Sequence, residues 1–186
     1  MNYFSGEIWE LVKKVYRERN LAITVLNHPT DAIEKGNGWI VNYDFDLVAG
    51  ATAYLAFETG DKHIHVRSRS LNIVDLSNQV IVLRTETLAA ATIDTLGTDI
   101  SENVINANLN IADNIDVTMY DETTTVTAEG SRIPFTKTIS GDRKQAGATV
   151  ISDEYILELN GLIVLKFVNE GIGNVRIEYN SNGYQE

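Results

Sequence analysis

The chain has 186 residues and a mass of 20.6 kDa, with 44% hydrophobic and 22% charged residues, enough to bury one sizeable core and too apolar for a disordered chain. No run approaches the roughly 20 apolar residues that span a bilayer, and no basic-then-apolar leader opens the sequence; the expectation is a soluble protein, not exported by that route, with no membrane partner. Zero cysteines exclude disulfides, thiol nucleophiles and zinc-finger sites, and a formal charge of -11 makes nucleic acid a poor partner.

The first predicted element is an amphipathic helix over residues 5–19. Ile8, Leu11, Val12, Val15 and Tyr16 recur at three- and four-residue intervals, with Glu10, Lys13, Lys14, Arg17 and Glu18 between them. Ser5 suits the N-cap, Glu7 the first turn, Arg17 and Arg19 the last, and Asn20 the end, in the charge order the helix dipole favours. The chain then divides into an N-terminal helix or arm, residues 1–20, and a β domain, residues 21–186. The apolar stripe of the helix has two uses: packing on the protein's own sheet, or docking on a neighbour.

Beyond the helix the apolar period falls to two, and the runs fill with Val, Ile, Thr, Tyr and Phe. Strands are expected at residues 21–26, 39–48, 52–59, 62–74, 79–86, 114–120, 123–128, 155–159, 162–168 and 174–179. The run Val80, Ile81, Val82, Leu83 reads as a central strand covered on both faces. Residues 114–120 and 123–128 read as a hairpin, and Asn160-Gly161 reads as the turn of another. Residues 87–110, with Ala89-Ala90-Ala91 and Gly97, and residues 140–147 break the rhythm and read as long surface loops. Short strands, frequent turns and no intervening helices exclude a βαβ sheet and point to an antiparallel sandwich, barrel or jelly roll.

Signatures of catalysis are absent: there is no HExxH, no Gly-x-Ser-x-Gly elbow, no phosphate loop and no EF-hand spacing. Neither a catalytic site nor a cofactor is expected. His63 and His65, two apart on a strand, lack further marked ligands for a metal. With Arg67 and Arg69 they read as one basic stripe, Ile64 and Val66 facing inward. That stripe is either a solvated edge or a seam for an acidic partner or a neighbouring copy. Asp44 and Asp46 share a strand face, where a solvent-facing acidic strand accounts for them as well as general acid and base chemistry does. Asp113, Asp116, Asp121 and Glu122 lack calcium-loop spacing.

In the C-terminal half, Gly97-Thr98-Asp99-Ile100-Ser101, Asn106-Ala107-Asn108-Leu109-Asn110 and Val117-Thr118-Met119-Tyr120 follow in an order that resembles a family of tailed-bacteriophage virion proteins. The resemblance continues through residues 125–131 and Glu154-Tyr155-Ile156-Leu157-Glu158-Leu159-Asn160-Gly161. It closes with residues 165–169 and Val175-Arg176-Ile177-Glu178-Tyr179, and covers roughly residues 39–180. Asn108-Leu109-Asn110 stands where that family usually carries arginines, and Tyr155 where it carries Trp. The resemblance implies an all-β, jelly-roll-like antiparallel sandwich in a structural, non-enzymatic component of the virion. Its members commonly decorate the capsid exterior as trimers. The implied partners are the major capsid protein and further copies of the chain in a homotrimer; a receptor-binding or fibre-associated role is the alternative. The helix lies outside the matched region, so its apolar stripe and the basic stripe are the candidate interfaces.

Overall fold

The computed structural model describes residues 33–76, 81–108, 110, 115–141, 146–151, 155–157 and 159–186; the helix expected over residues 5–19, with Ile8, Leu11, Val12, Val15 and Tyr16, and the strand expected at 21–26 lie outside them. Thirteen strands occupy the described residues: β1 Gly38–Leu47, β2 Thr52–Thr59, β3 Ile64–Asp75, β4 Ile81–Ala89, β5 Thr92–Thr95, β6 Val104–Asn106, β7 Val117–Tyr120, β8 Thr125–Ala128, β9 Ser131–Gly141, β10 Ala146–Ile151, β11 Tyr155–Leu157, β12 Leu162–Asn169 and β13 Val175–Gln185. They form two antiparallel sheets and a two-stranded ribbon. The first sheet has the order β10-β3-β13-β1-β6, with β11 also on β3; the second has the order β7-β2-β12-β4-β9; the ribbon is β5 with β8.

The period-two pattern explains why the two sheets stack. Val41, Phe45 and Leu47 on β1 and Val175, Ile177 and Tyr179 on β13 face Ala53, Leu55 and Phe57 on β2 and Ile163, Leu165 and Phe167 on β12, and all are buried in one core. The Phe167 ring sits edge-on to both Phe45 and Tyr179, with centroids 5.4 and 6.5 Å apart. The chain is thus an all-β antiparallel sandwich.

Among the described strands, no two that are consecutive in the chain pair with one another. This corrects both expected hairpins. β7 adds to the edge of β2 while β8 pairs with β5, and the Asn160-Gly161 turn, with Asn160 in the left-handed region at φ 47°, carries the chain from β11 in the first sheet to β12 in the second. A tight turn reverses direction equally well within a sheet or across a sandwich, and the core on both sides of these strands selects the second.

The expected loops are also shorter than read. Residues 87–89 belong to β4, and the segment after them forms β5, the Ser101–Asn103 3-10 turn and β6; β9 runs to Gly141 and β10 starts at Ala146. The β5–β8 ribbon covers the outer face of the second sheet, where Ala56, Leu88 and Val164 are fully buried beneath Ile93 and Val126. β4 lies inside its sheet, between β12 and β9, as its apolar run implies.

The turn between β12 and β13 is braced by Asn169, which is fully buried. Its Nδ2 donates to Leu47 O at 3.1 Å and Gly173 O at 2.8 Å, and its Oδ1 accepts from Gly171 N at 3.1 Å. Asn169→Ala strands two buried carbonyls and one amide, and is expected to lower the unfolding free energy by about 2 kcal/mol, measured by urea denaturation.

Candidate functional site

The structure separates the four residues of the basic stripe. β3 and β13 pair with one irregularity: Val66 opposes Gly183 and Ser68 opposes Asn182, leaving Arg67 with no opposite number. Such a bulge advances the side-chain alternation by one. Before it Ile64 and Val66 face the core; after it Arg69, Leu71 and Ile73 do. His63 is exposed ahead of the strand, and its backbone exchanges hydrogen bonds with Glu186, 3.2 and 2.9 Å. His65 is buried on the outer face, stacked on Tyr184 with ring centroids 4.3 Å apart and 3.6 Å from the Glu186 carboxylate. Of the stripe residues on β3, Arg67 is the exposed one.

Arg69 corrects the stripe most sharply. It is 6% exposed and spans the inter-sheet space to donate from Nη1 to Thr87 Oγ1 of β4 at 2.9 Å. Leu71, Thr85, Phe167 and Tyr179 surround it. Burial pushes the Tyr179 hydroxyl above its usual pKa, against the opposing pull of the Arg69 charge. A small cavity in the core, about 20 Å³ and lined almost wholly by apolar side chains including Trp39, Phe57 and Leu165, has room for about one water.

Asp44 and Asp46 face solvent on β1. Arg176, opposite Asp46 on β13, donates from Nε at 2.8 Å and from a second nitrogen at 3.3 Å to Asp46, and its Nε lies 3.9 Å from Asp44. The Arg176 hydrogen bond holds the Asp46 carboxyl below its usual pKa. A cross-strand ion pair therefore accounts for the acidic strand. Among the described residues, no three His, Cys, Asp or Glu side chains are grouped to hold a metal.

A dense charged cluster sits on the outer face of the second sheet, beneath and beside the ribbon. The Glu86 side chain is wholly buried, with Arg84 Nη1 at 3.1 Å, Arg132 Nη1 at 3.3 Å and Lys166 Nζ at 3.7 Å. Lys166, also buried, makes a close ion pair with Glu129, which Tyr54 reaches at 3.4 Å and Arg132 at 3.8 Å. Glu129 follows β8, so the pair fastens the ribbon to the sheet. The Lys166 hydrogen bond draws the Glu129 carboxyl below its ordinary pKa of 4.5, outweighing the opposing effect of burial. A carboxylate depressed on folding stabilises above its unfolded pKa and loses that contribution as pH falls through the folded value. The melting temperature should therefore fall more steeply below about pH 4.5 in the wild type than in Glu129→Gln, in a series from pH 6 to pH 3.

Sequence reading missed one bias that composition alone displays. Residues 91–130, the long excursion between β4 and β9, hold eight Asp or Glu and no Lys, Arg or His. Asp99 and Asp121 in this excursion spend their charge on local turns. Asp99 accepts from Ser101 N at 2.9 Å; Asp121 accepts from Thr98 N and Thr123 N, each at 3.0 Å. The excursion leaves the second sheet where β4 ends and returns where β9 begins, with Ala89 opposite Ser131.

The outer face of the first sheet is different again. Asn42, Asn180 and Ser70 stand in one cross-strand row and Ile40, Asn182 and Ser68 in the next, a flat array of amides and hydroxyls. Ile40 continues its row to Ile105 on β6, and both are about two-fifths exposed.

No family model and no curated protein matches the sequence. Among solved structures, the chain is similar to that of infectious bursal disease virus Gx strain at 10% identity, covering 79% of this chain and 32% of that one, with a TM-score of 0.32. It is similar to the decameric BFDV capsid protein at 8% identity, covering 80% and 95%, TM-score 0.29, and to hydroquinone 1,2-dioxygenase from Sphingomonas sp. TTNP3 at 11%, covering 77% and 59%, TM-score 0.23. This chain spans about a third of the length of the first. Two of the three are virus structures and one is an enzyme, and TM-scores this low carry no argument for a role.

Proposed function

We propose that the chain is a structural protein of a tailed-bacteriophage virion, a decoration or cement protein that sits on the capsid exterior, binds the major capsid protein and associates with copies of itself as a homotrimer. The observation that carries this reading is the run of ordered motifs from Gly97 to Tyr179, and the strand order supports the fold that they imply. Setting aside β5 to β8 and β11, eight strands remain in the orders β1-β13-β3-β10 and β2-β12-β4-β9, with the chain passing repeatedly from one sheet to the other. We infer from this that the sandwich is a jelly roll, an architecture used by viral shell domains as well as by lectins and cupins. Architecture alone does not choose among those roles. The ordered motifs from Gly97 to Tyr179, which resemble phage virion proteins, favour the first.

In this reading the protein is not an enzyme. Its work is to add contact area across junctions between capsid subunits, where burial of apolar surface contributes roughly 25 cal/mol per Å² before association costs. Many weak attachments on one shell then act together. The outer face of the first sheet supports a second reading, in a receptor-binding or fibre-associated protein: Asn42, Asn180, Asn182, Ser68 and Ser70 offer donors and acceptors of the kind that sugar hydroxyls need.

Immunogold labelling of gradient-purified particles with antibody to this chain separates the readings. Regular labelling over the capsid, together with a higher temperature of DNA release when the protein is present, is the expected result. Labelling confined to fibres or tail supports the second reading, and absence from particles defeats both.

A further inference from the structure

The outer face of the first sheet changes character at one corner. Next to the rows of amides and hydroxyls, a cross-strand row runs from Ala107, just past β6, through Gly38 on β1, Tyr184 on β13 and His65 on β3 to Ile156 on β11. Tyr184 and His65 point away from the core and are nevertheless only 8% exposed each. Side chains stand roughly perpendicular to a sheet, so neighbours within a row cover ring faces and leave ring tips open; burial this deep belongs to a place with a layer over it. Around the two rings Ile40 and Ile105 stay about two-fifths exposed, and Ile156 is 58% exposed. Together they make an aliphatic rim.

The described chain begins at this corner. A Cβ built on Gly38 lies 2.6 Å from Ile33 Cγ1 and 3.3 Å from Ala107 Cβ, so Ile33 lies over the glycine, on the side to which Ile40 points. The turn that carries Ile33 is fastened to the sheet edge: Asn106 Nδ2 donates to Gly36 O at 2.7 Å, and Asn108 Nδ2 donates to Glu34 O at 3.2 Å. The chain preceding Ile33 is therefore tethered above the outer face of the first sheet.

We propose that the segment 5–19 lies across this corner of the chain's own first sheet, with Ile8, Leu11, Val12, Val15 and Tyr16 turned onto Tyr184, His65 and the aliphatic rim. The dimensions agree. A helix of that length spans about 22 Å, and the four strand spacings from β6 across β1, β13 and β3 to β11 span about 19 Å. Residues 20–32 reach up to about 40 Å when extended, which covers every point of the patch. The occupant is this segment because the tether holds it beside the patch at a local concentration on the order of millimolar, which a separate partner must match. Residues 1–32 hold four Lys or Arg and four Asp or Glu, so the segment adds no charge to an acidic chain, and apolar burial decides the contact. The apolar stripe is then used within the chain, and the inference does not depend on the virion reading.

The chain has no cysteine, so introduced thiols are unique. The test is cross-linking of full-length Leu11→Cys/Ile40→Cys with a short bismaleimide, beside Leu11→Cys/Ile172→Cys, because Ile172 precedes β13 and lies at the far end of it from Tyr184. Cross-linked peptides are quantified by mass spectrometry in the monomer band, and matching melting temperatures establish that the variants fold. Leu11→Cys/Ile105→Cys replaces the first pair if Ile40→Cys does not fold. The expected result is a cross-linked monomer at Ile40 in a yield about tenfold that at Ile172. Equal yields at the two positions, or no product at Ile40, overturn the proposal. A cross-linked dimer from a mixture of the two single variants, Leu11→Cys and Ile40→Cys, assigns the patch to the segment of a neighbouring copy and also overturns it.

Discussion

Gly183→Ala is expected to lower the unfolding free energy by about 3 kcal/mol, the upper part of the range for overpacked cores, with a matching fall in the urea midpoint. A Cβ built on Gly183 lies 1.7 Å from the backbone oxygen of His65 and 2.7 Å from Trp39 Cζ2. The first contact is with backbone, so no rotamer change relieves it; β3 and β13 must separate at the bulge. Arg67 is left out of the pairing there, and the Trp39 ring lies against the glycine. An alanine variant with wild-type stability would show that the bulge is not held closed in this way. The same variant should disturb the stacking of His65 on Tyr184, one residue further along each strand, which NMR of the His65 ring would report.

Glu86→Gln is the second large effect, a loss of about 3 kcal/mol, at the lower end of the range for breaking a buried ion pair. The substitution keeps the shape, removes the charge and turns one acceptor oxygen into an NH2 donor among three cations. Lys166 is then left with Glu129 alone, and Arg84 and Arg132 lose a shared acceptor at 3.1 and 3.3 Å. A double variant, Glu86→Leu with Lys166→Met, is expected to recover much of the loss, because two buried charges leave together and an apolar pair replaces them. If the double variant is no better than Glu86→Gln, the cluster acts through the geometry of the ribbon and not through charge compensation.

Much of the sandwich is legible in the sequence because side-chain alternation is a local property. Thr52–Thr59 is bounded as expected, and Ile115, Val117 and Met119 take the buried face that their spacing indicates. Pairing is not local. Asn160-Gly161 has the chemistry of a tight turn, but turn chemistry holds no information about which sheet receives the next strand. The basic stripe broke for a related reason. Nothing in Lys62 to Leu71 marks a bulge; the residue that permits it is Gly183, more than a hundred positions away. Arg69 therefore went to the core by a parity change that β3 does not encode on its own. The cluster around Glu86 was hidden because its members come from distant segments, Arg84 and Glu86 on β4, Lys166 on β12, Glu129 before β9 and Arg132 on β9, whose charges look solvent-facing alone. The acidic excursion was countable in the sequence alone.

The absence of any pairing between consecutive strands also bears on how the chain is made. β1 finds its main partner only in β13, the last of the described strands. At about 5–20 residues per second, the first strand waits on the order of 10 s with an apolar face and open backbone edges. No hairpin among the described strands nucleates the fold, so folding in milliseconds to seconds should begin only after Val175–Gln185 is available. Truncations that remove β13 should then fail as nascent chains and not as weakened proteins, accumulating with chaperones or in aggregates, while the turn residues near Asn169 stay intact in sequence and useless in effect.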